Sequence, residues 1–122
     1  MKLLLAFLLV NFFLINDPFA QTIYVAPNGS DQNPGTAEQP LATLTAAIDR
    51  IRLLRKQNPS AQHAWQVIIR RGEYIMPETL NLSVDDSGTE TSPLLFKGEE
   101  GAMPVFYGGF FLNKFERISD SL

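Results

Sequence analysis

Residues 65–76 read WQVIIRRGEYIM, and this stretch decides the fold class of the chain. Residues 66–70 have the continuous apolar centre that is typical of a buried β-strand. A turn is predicted at 71–73, where a glycine lies between two charged residues. Residues 74–76 form a second short apolar run that ends at Pro77. We therefore predict two short strands joined by a tight turn.

Further short apolar runs follow toward the C-terminus. They lie at residues 79–83, 94–96, 105–107 and 110–112. Residues 79–83 alternate between polar and apolar, so a strand is predicted there with Leu80 and Leu82 facing inward. The turn-rich segments 85–93 and 98–104 separate these runs. The second half of the chain is thus predicted to be a series of short strands.

The spacing of these strands suggests a repeat. Val67 and Leu94 lie 27 positions apart, and Leu80 and Val105 lie 25 positions apart. A recurrence at this interval is typical of a solenoid with stacked repeats, such as a parallel β-helix. Regularly spaced short strands also fit an ordinary β-sandwich, so the spacing alone leaves both architectures open.

One helix is predicted on the N-terminal side of this region, over residues 43–56. Its apolar residues recur at intervals of three and four and line one face; they are Leu44, Ala47, Ile48, Ile51 and Leu54. Thr43 is the predicted N-cap, and Asn58 with Pro59 ends the helix. A short strand at 23–25 and an ordered, turn-rich loop at 26–40 precede it.

Residues 1–20 have the order of a secretory signal peptide. Lys2 is followed by the apolar stretches 3–10 and 12–15, then by a break at 16–18 and the small residue Ala20. The apolar stretch is shorter than the roughly 18 residues that a transmembrane helix requires. We predict cleavage after Ala20, with a retained N-terminal anchor as the alternative. The mature protein is then expected to be secreted, periplasmic or located at the cell surface.

Composition excludes several classes of protein. The 122 residues include no cysteine and one histidine, so a disulfide framework, a cysteine-based zinc site and a histidine metal cluster are all excluded. Ten Lys and Arg stand against 13 Asp and Glu, which argues against a broad basic surface for nucleic acid. An exported domain without disulfides needs a good apolar core, or it belongs to a larger structure.

Several segments resemble the N-terminal part of secreted right-handed parallel β-helix proteins of the pectate-lyase-like superfamily. They are IYVAPNGSD at 23–31, NPGT at 33–36, QPLATL at 39–44, VIIR at 67–70 with Gly72 and Tyr74, DSGT at 86–89, and GEEGAMPVFYGG at 98–109. The nearest likeness is to β-helix glycoside hydrolases that act on polysaccharides. The resemblance implies a mainly β fold, with the helix laid over the open end of the first coil as a cap.

Carboxylates are the first candidates for chemistry. Asp85, Asp86 and Glu90 form an acidic cluster in a loop, which fits an acid–base pair for glycoside hydrolysis, a Ca²⁺ site or a solvated turn. The interpretation that we favour is a solvated turn in which Asp and Ser cap the backbone. Asp31 is predicted to accept hydrogen bonds from loop amides, with calcium binding as the alternative.

The remaining candidates each have a structural interpretation that we favour. His63 is predicted to be a surface or edge residue, and Trp65 and Tyr74 are predicted to be buried, although both can stack on a sugar. Arg70 and Arg71 can bind an acidic sugar, but a solvated strand end is the default. No residue matches the catalytic positions of the resembled family, so we assign no catalytic, cofactor-binding or metal-binding residue and expect no cofactor.

Two regions are predicted: a signal peptide at 1–20, and the N-terminal cap and first coils of a β-helix at 21–122. The leading hypothesis is the N-terminal segment of a secreted glycoside hydrolase whose catalytic residues lie beyond this chain. The alternatives are a non-catalytic carbohydrate-binding or surface protein and a polysaccharide lyase. The expected partner is a polysaccharide or oligosaccharide. Neither nucleic acid nor, after cleavage, a membrane is expected as a partner, and the sequence predicts no oligomeric state.

Overall fold

A computed structural model describes residues 21–60 and 63–116, so the predicted signal peptide at 1–20 lies outside the described residues. The described chain is mainly β, with short parallel strands and one α-helix. In chain order the elements are β1 (Gln21–Val25), α1 (Leu44–Gln57), β2 (Trp65–Ile69), β3 (Gly72–Met76), a 3₁₀ turn (Val84–Asp86), β4 (Leu94–Gly98) and β5 (Pro104–Gly108). The predicted strand–turn–strand unit at 66–76 is therefore confirmed, with boundaries shifted by one or two residues.

The strands form two parallel sheets. One sheet has the order β1-β2-β4, and the other pairs β3 with β5. Successive strands stack in register: Ile23 pairs with Val67, which pairs with Phe96, while Tyr74 pairs with Phe106. From β2 onward the chain alternates between the two sheets and returns to each one strand further along.

Alternation along the strands places the core between these sheets. In β2 the buried residues are Trp65, Val67 and Ile69, and the residues between them are only partly buried. Ile23 and Val25 of β1 continue the same rows. The apolar residues of this strand set therefore stack directly on one another, as in-register parallel pairing requires.

Helix α1 packs at the β1 end of the core. Thr43 is the N-cap and its hydroxyl oxygen accepts a hydrogen bond from the Ala46 amide at 3.1 Å, as predicted. Ala47, Ile48 and Ile51 are the buried residues of the helix, and Ile51 belongs to the same apolar cluster as Ile23 and Val25. The helix contacts β1. Its predicted apolar face is thus the face that packs.

The strand predicted at 79–83 is wrong. No strand forms there, and Leu82 is exposed instead of facing inward. The segment is held against α1, because the Arg52 guanidinium donates a hydrogen bond to the Asn81 carbonyl oxygen at 3.0 Å. Alternation in the sequence was misleading because no strand among the described residues pairs with this segment. The apolar run at 110–112 also forms no strand, and its side chains are exposed.

The repeat interval changes with this correction. Val67 pairs with Phe96, 29 positions later, and Val105 pairs with Glu73, 32 positions earlier, instead of with Leu80.

The last strand of each sheet is incompletely covered. Phe96 is 39% exposed and Phe106 is 37% exposed, although their partners Val67 and Tyr74 are buried. Apolar positions that are buried in the preceding strand are therefore accessible in the last strand of each sheet.

Candidate functional site

A groove lies between the N-terminal end of α1 and strand β3. It has a volume of about 550 Å³, within the range of small-ligand sites. One wall comes from Asp31, residues 42–46 and Asp49, and the other from residues 73–78, with Pro27 and Phe106 completing the lining. The groove brings together an apolar floor and several carboxylates.

The groove exists because the two sheets begin differently. The outer edge of β1 is covered by a loop: Tyr24 donates to the Gly35 carbonyl oxygen at 2.8 Å, and the amide of Leu41 donates to the Tyr24 carbonyl oxygen at 2.9 Å. Strand β3, in contrast, has a neighbouring strand on one side only, namely β5, among the described residues. The chain passes from the Leu41 bridge directly into α1, so the position beside β3 is left to the groove.

The hydrogen bonds between β3 and β5 indicate which main-chain groups of β3 face the groove. The Met76 carbonyl oxygen accepts a hydrogen bond from Gly109 on the β5 side at 3.2 Å. Along a strand, the N–H and C=O of one residue point to one side and those of the next residue point to the other. The main-chain N–H and C=O of Glu73 and Ile75 therefore point away from β5, toward the groove. These two residues therefore present main-chain donors and acceptors to any ligand that enters.

Among the described residues, the lining of the groove contains four carboxylates and no basic side chain. The carboxylates are Asp31, Asp49, Glu73 and Glu78. Asp31 is committed to structure, since its Oδ1 accepts from the amides of Ala42 and Thr43 at 2.9 Å each. This result confirms the prediction that Asp31 satisfies loop amides. Asp49 pairs with Arg52 at 3.0 Å. Glu73 and Glu78 are both exposed, and the Glu73 Oε1 accepts a hydrogen bond from the Tyr107 hydroxyl at 3.3 Å. A ligand would therefore meet Glu78 directly and Glu73 beside the Tyr107 hydroxyl.

Tyr74 and Phe106 form the aromatic part of the lining. Their rings are stacked with centroids 5.0 Å apart. The Tyr74 hydroxyl donates to the carbonyl oxygens of Arg70 at 2.8 Å and Val25 at 3.2 Å, so its ring is held in place from its far end. Burial raises the pKa of the Tyr74 hydroxyl above its ordinary value. Tyr74 is thus buried, as predicted, and Phe106 is the accessible ring.

The acidic loop that the sequence singled out is divided by the structure. Asp85 and Glu90 are exposed, whereas Asp86 is 5% exposed and forms a two-point ion pair with Arg52, with Nε–Oδ1 at 2.8 Å and Nη2–Oδ2 at 2.7 Å. The Ser83 amide also donates to Asp86 Oδ2 at 2.7 Å. The hydrogen bonds from Arg52 and Ser83 hold the pKa of Asp86 well below its usual range. The turn with backbone capping by Asp and Ser is therefore confirmed, since Ser83 and Asp86 form a capping box. The solvated part of that interpretation is wrong for Asp86, because this buried residue ties the loop to α1.

The other predicted residues are dispersed. His63 is exposed, as predicted, and its carbonyl oxygen accepts a hydrogen bond from the Ser92 hydroxyl, while Trp65 is buried in the core. Arg70 lies over the Tyr24 ring at 5.3 Å and faces Glu99 at 3.5 Å, on the outer side of the β1-β2-β4 sheet. The guanidinium of Arg71 donates to the Gly101 carbonyl oxygen at 3.2 Å.

The groove carboxylates Glu73 and Glu78 are absent from the residues that the sequence pointed to. They flank the second predicted strand, but nothing in its sequence indicates that one edge of this strand lacks a neighbour. Within residues 21–60 and 63–116, no three Asp, Glu, His or Cys residues are grouped so as to hold a metal ion. Over the same ranges, no helix is both long and apolar enough to cross a membrane.

Comparisons with known proteins give distant relatives. No protein-family model matches the chain. The chain is 40% identical over 86 residues to the uncharacterized protein YwoF of Bacillus subtilis, covering 70% of this chain and 15% of that protein. It is 30% identical over 89 residues to the pectate lyase PEL9 of Emericella nidulans, covering 73% of this chain and 19% of that protein.

A solved structure described as a glycoside hydrolase superimposes with a TM-score of 0.70 at 29% sequence identity. The match covers 81% of this chain and 17% of that one. Together these matches support a relationship to pectate-lyase-like and glycoside hydrolase proteins over part of their length. The chain spans less than a fifth of each of the three proteins.

Proposed function

We propose that this chain is the N-terminal segment of a secreted, polysaccharide-acting protein with a right-handed parallel β-helix fold, and that the protein is a glycoside hydrolase. The observation that carries the proposal is the in-register parallel stacking of strands in both sheets. Strands that return to each sheet one layer further along are what successive β-helix coils produce. The similarity to a glycoside hydrolase structure supports the same fold and a carbohydrate substrate.

The catalytic residues are proposed to lie beyond this chain. Glycoside hydrolysis ordinarily requires two carboxyl groups placed on either side of the bond to be cleaved. The predicted acidic cluster does not supply such a pair, because Asp86 is bound by Arg52. The accessible Phe96 and Phe106 support a further coil stacked on β4 and β5, since such a coil would bury both rings.

A polysaccharide lyase is the second candidate, because one relative is named as a pectate lyase. A lyase breaks the glycosidic bond by removing a proton beside a uronate carboxylate, so it requires an acidic polysaccharide and leaves an unsaturated sugar end. A hydrolase adds water and leaves saturated ends. The two reactions are therefore distinguished by the product, whichever residues carry them out. The remaining alternative, a protein that binds polysaccharide without cleaving it, yields no product.

The test is to purify the protein at its native length from the culture medium and assay it on neutral and acidic polysaccharides. New reducing ends without ultraviolet-absorbing unsaturated ends support hydrolysis, and unsaturated ends support the lyase. Residues 21–122 alone are expected to be inactive, so turnover by that piece contradicts the proposed location of the catalytic residues. A native protein found only inside cells contradicts the proposed export.

A further inference from the structure

We propose that the groove between α1 and β3 is a binding subsite for uncharged sugar residues and that it rejects uronates. This inference rests on the proposed function, because it specifies which class of polysaccharide a protein of that kind would hold at this place.

The shape and the main chain of the groove suit a sugar. Its volume of about 550 Å³ accommodates one or two sugar rings. The peptide groups of Glu73 and Ile75 point into it, where they can donate to and accept from hydroxyl groups. Because a hydroxyl group both donates and accepts, it can satisfy a mixture of amides, carbonyl groups and carboxylates, which a purely anionic ligand cannot.

The apolar lining suits the C–H faces of a sugar ring. Ile75 is 43% exposed beside the groove, and Pro27 and Pro77 are exposed in its lining. Removing these surfaces from water on binding would contribute favourably, since burial of apolar area stabilises a complex.

Charge determines the class of sugar. The charged side chains of the lining are four carboxylates, and no Lys or Arg is among them. Asp31 and Asp49 have amide or cationic partners. In contrast, Glu78 is exposed and Glu73 is exposed with only the neutral Tyr107 hydroxyl bonded to it, so both keep their negative charge uncompensated by a cation. A uronate entering the groove would meet like charges at short range, which disfavours binding. A neutral sugar would instead donate its hydroxyl hydrogens to the same carboxylates.

The test measures binding by the native-length protein to two panels of soluble polysaccharides. Xylan, mannan and β-glucan make up the neutral panel, and polygalacturonate and alginate make up the acidic panel. We expect a neutral polymer to bind at least about tenfold more tightly than either acidic one at low salt. Ile75→Arg, which fills the groove, is expected to weaken neutral binding about threefold or more. Leu95→Arg is the matched control, because Leu95 is 56% exposed on the outer side of the other sheet.

A charge-reversal variant tests the reason for the selectivity. Glu73→Lys combined with Glu78→Lys is expected to increase polygalacturonate binding about tenfold, and added salt should reduce that gain. Tighter binding of an acidic polymer by the unmodified protein, or equal effects of Ile75→Arg and Leu95→Arg, overturns the inference while the proposed function stands. If the protein neither binds nor cleaves any polymer of either panel, the proposed function fails, and this inference fails with it.

Discussion

The packing of α1 on the first strand makes a quantitative prediction for Ile51→Asp. Ile51 is 2% exposed and belongs to the cluster that contains Ile23 and Val25. Losing the burial of an isoleucine side chain costs about 2–3 kcal/mol. A carboxylate left without a partner in that cluster adds about 1–3 kcal/mol. The local opening free energy of α1 and β1 is therefore expected to fall by about 4 kcal/mol.

Native-state hydrogen exchange on the native-length protein is the appropriate assay. In a stacked-repeat structure each layer depends mainly on its neighbours, so a change in the first layer need not unfold the rest. The amides of α1 and β1 are expected to lose protection, while those of β5 change less. Global thermal unfolding would average these regions and conceal the local effect.

Leu53→Asp provides the control for the same helix. Leu53 is 49% exposed, so the same substitution there removes little burial and is expected to cost about 1 kcal/mol or less. Equal loss of protection in the two variants would show that helix propensity, instead of packing on β1, controls stability. Unchanged exchange in Ile51→Asp would refute the reasoning, because it would mean that α1 does not cover the first layer.

Three further predictions concern the loop, the core hydroxyl and a close backbone contact. The pKa of Asp86 is lower in the folded protein than in the unfolded chain, where it is about 4. The contribution of Asp86 to folding stability is therefore present at neutral pH and is lost as pH falls below about 4. Asp86→Asn should flatten the acid limb of a stability–pH profile measured by urea unfolding. Tyr74→Phe removes a hydroxyl that donates to two carbonyl oxygens and is expected to cost about 1–2 kcal/mol in the same assay, and a neutral result contradicts those bonds. A Cβ at Gly29 would lie 2.3 Å from the Leu41 carbonyl oxygen, whereas one at Gly108 meets nothing within 4 Å, so Gly29→Ala should lower the melting temperature and Gly108→Ala should not.

Local sequence patterns predicted the elements whose stability depends on nearby residues. The helix was predicted from the spacing of its apolar face and from Thr43, and the structure confirms both. The strands at 23–25, 66–70, 74–76, 94–96 and 105–107 were also predicted, because each is a short apolar run between turn residues. Alternation failed at 79–83, since a strand also needs a partner, and partners are decided by distant parts of the chain.

In the candidate site, too, the features that depend on nearby residues were predicted and those that depend on distant residues were not. The role of Asp31 was predicted because an acidic residue in a turn-rich loop commonly accepts from nearby amides. The ion pair of Asp86 was not predicted, because its partner Arg52 lies 34 positions away on another element. The groove itself was not predicted either, since it arises because β3 has a neighbouring strand on one side only within the described part of the chain.

By itself, the sequence determined the type and approximate limits of most of the short elements, the apolar face of α1 and the mainly β character of the chain. These properties depend on the side-chain period and on turn chemistry, which act over a few residues. Only the tertiary structure decided that Val67 stacks on Phe96, that Asp86 is locked by Arg52, and that Glu73 and Glu78 face an open groove. Those contacts depend on which distant segments become neighbours, and the parallel pairing of the strands determines this.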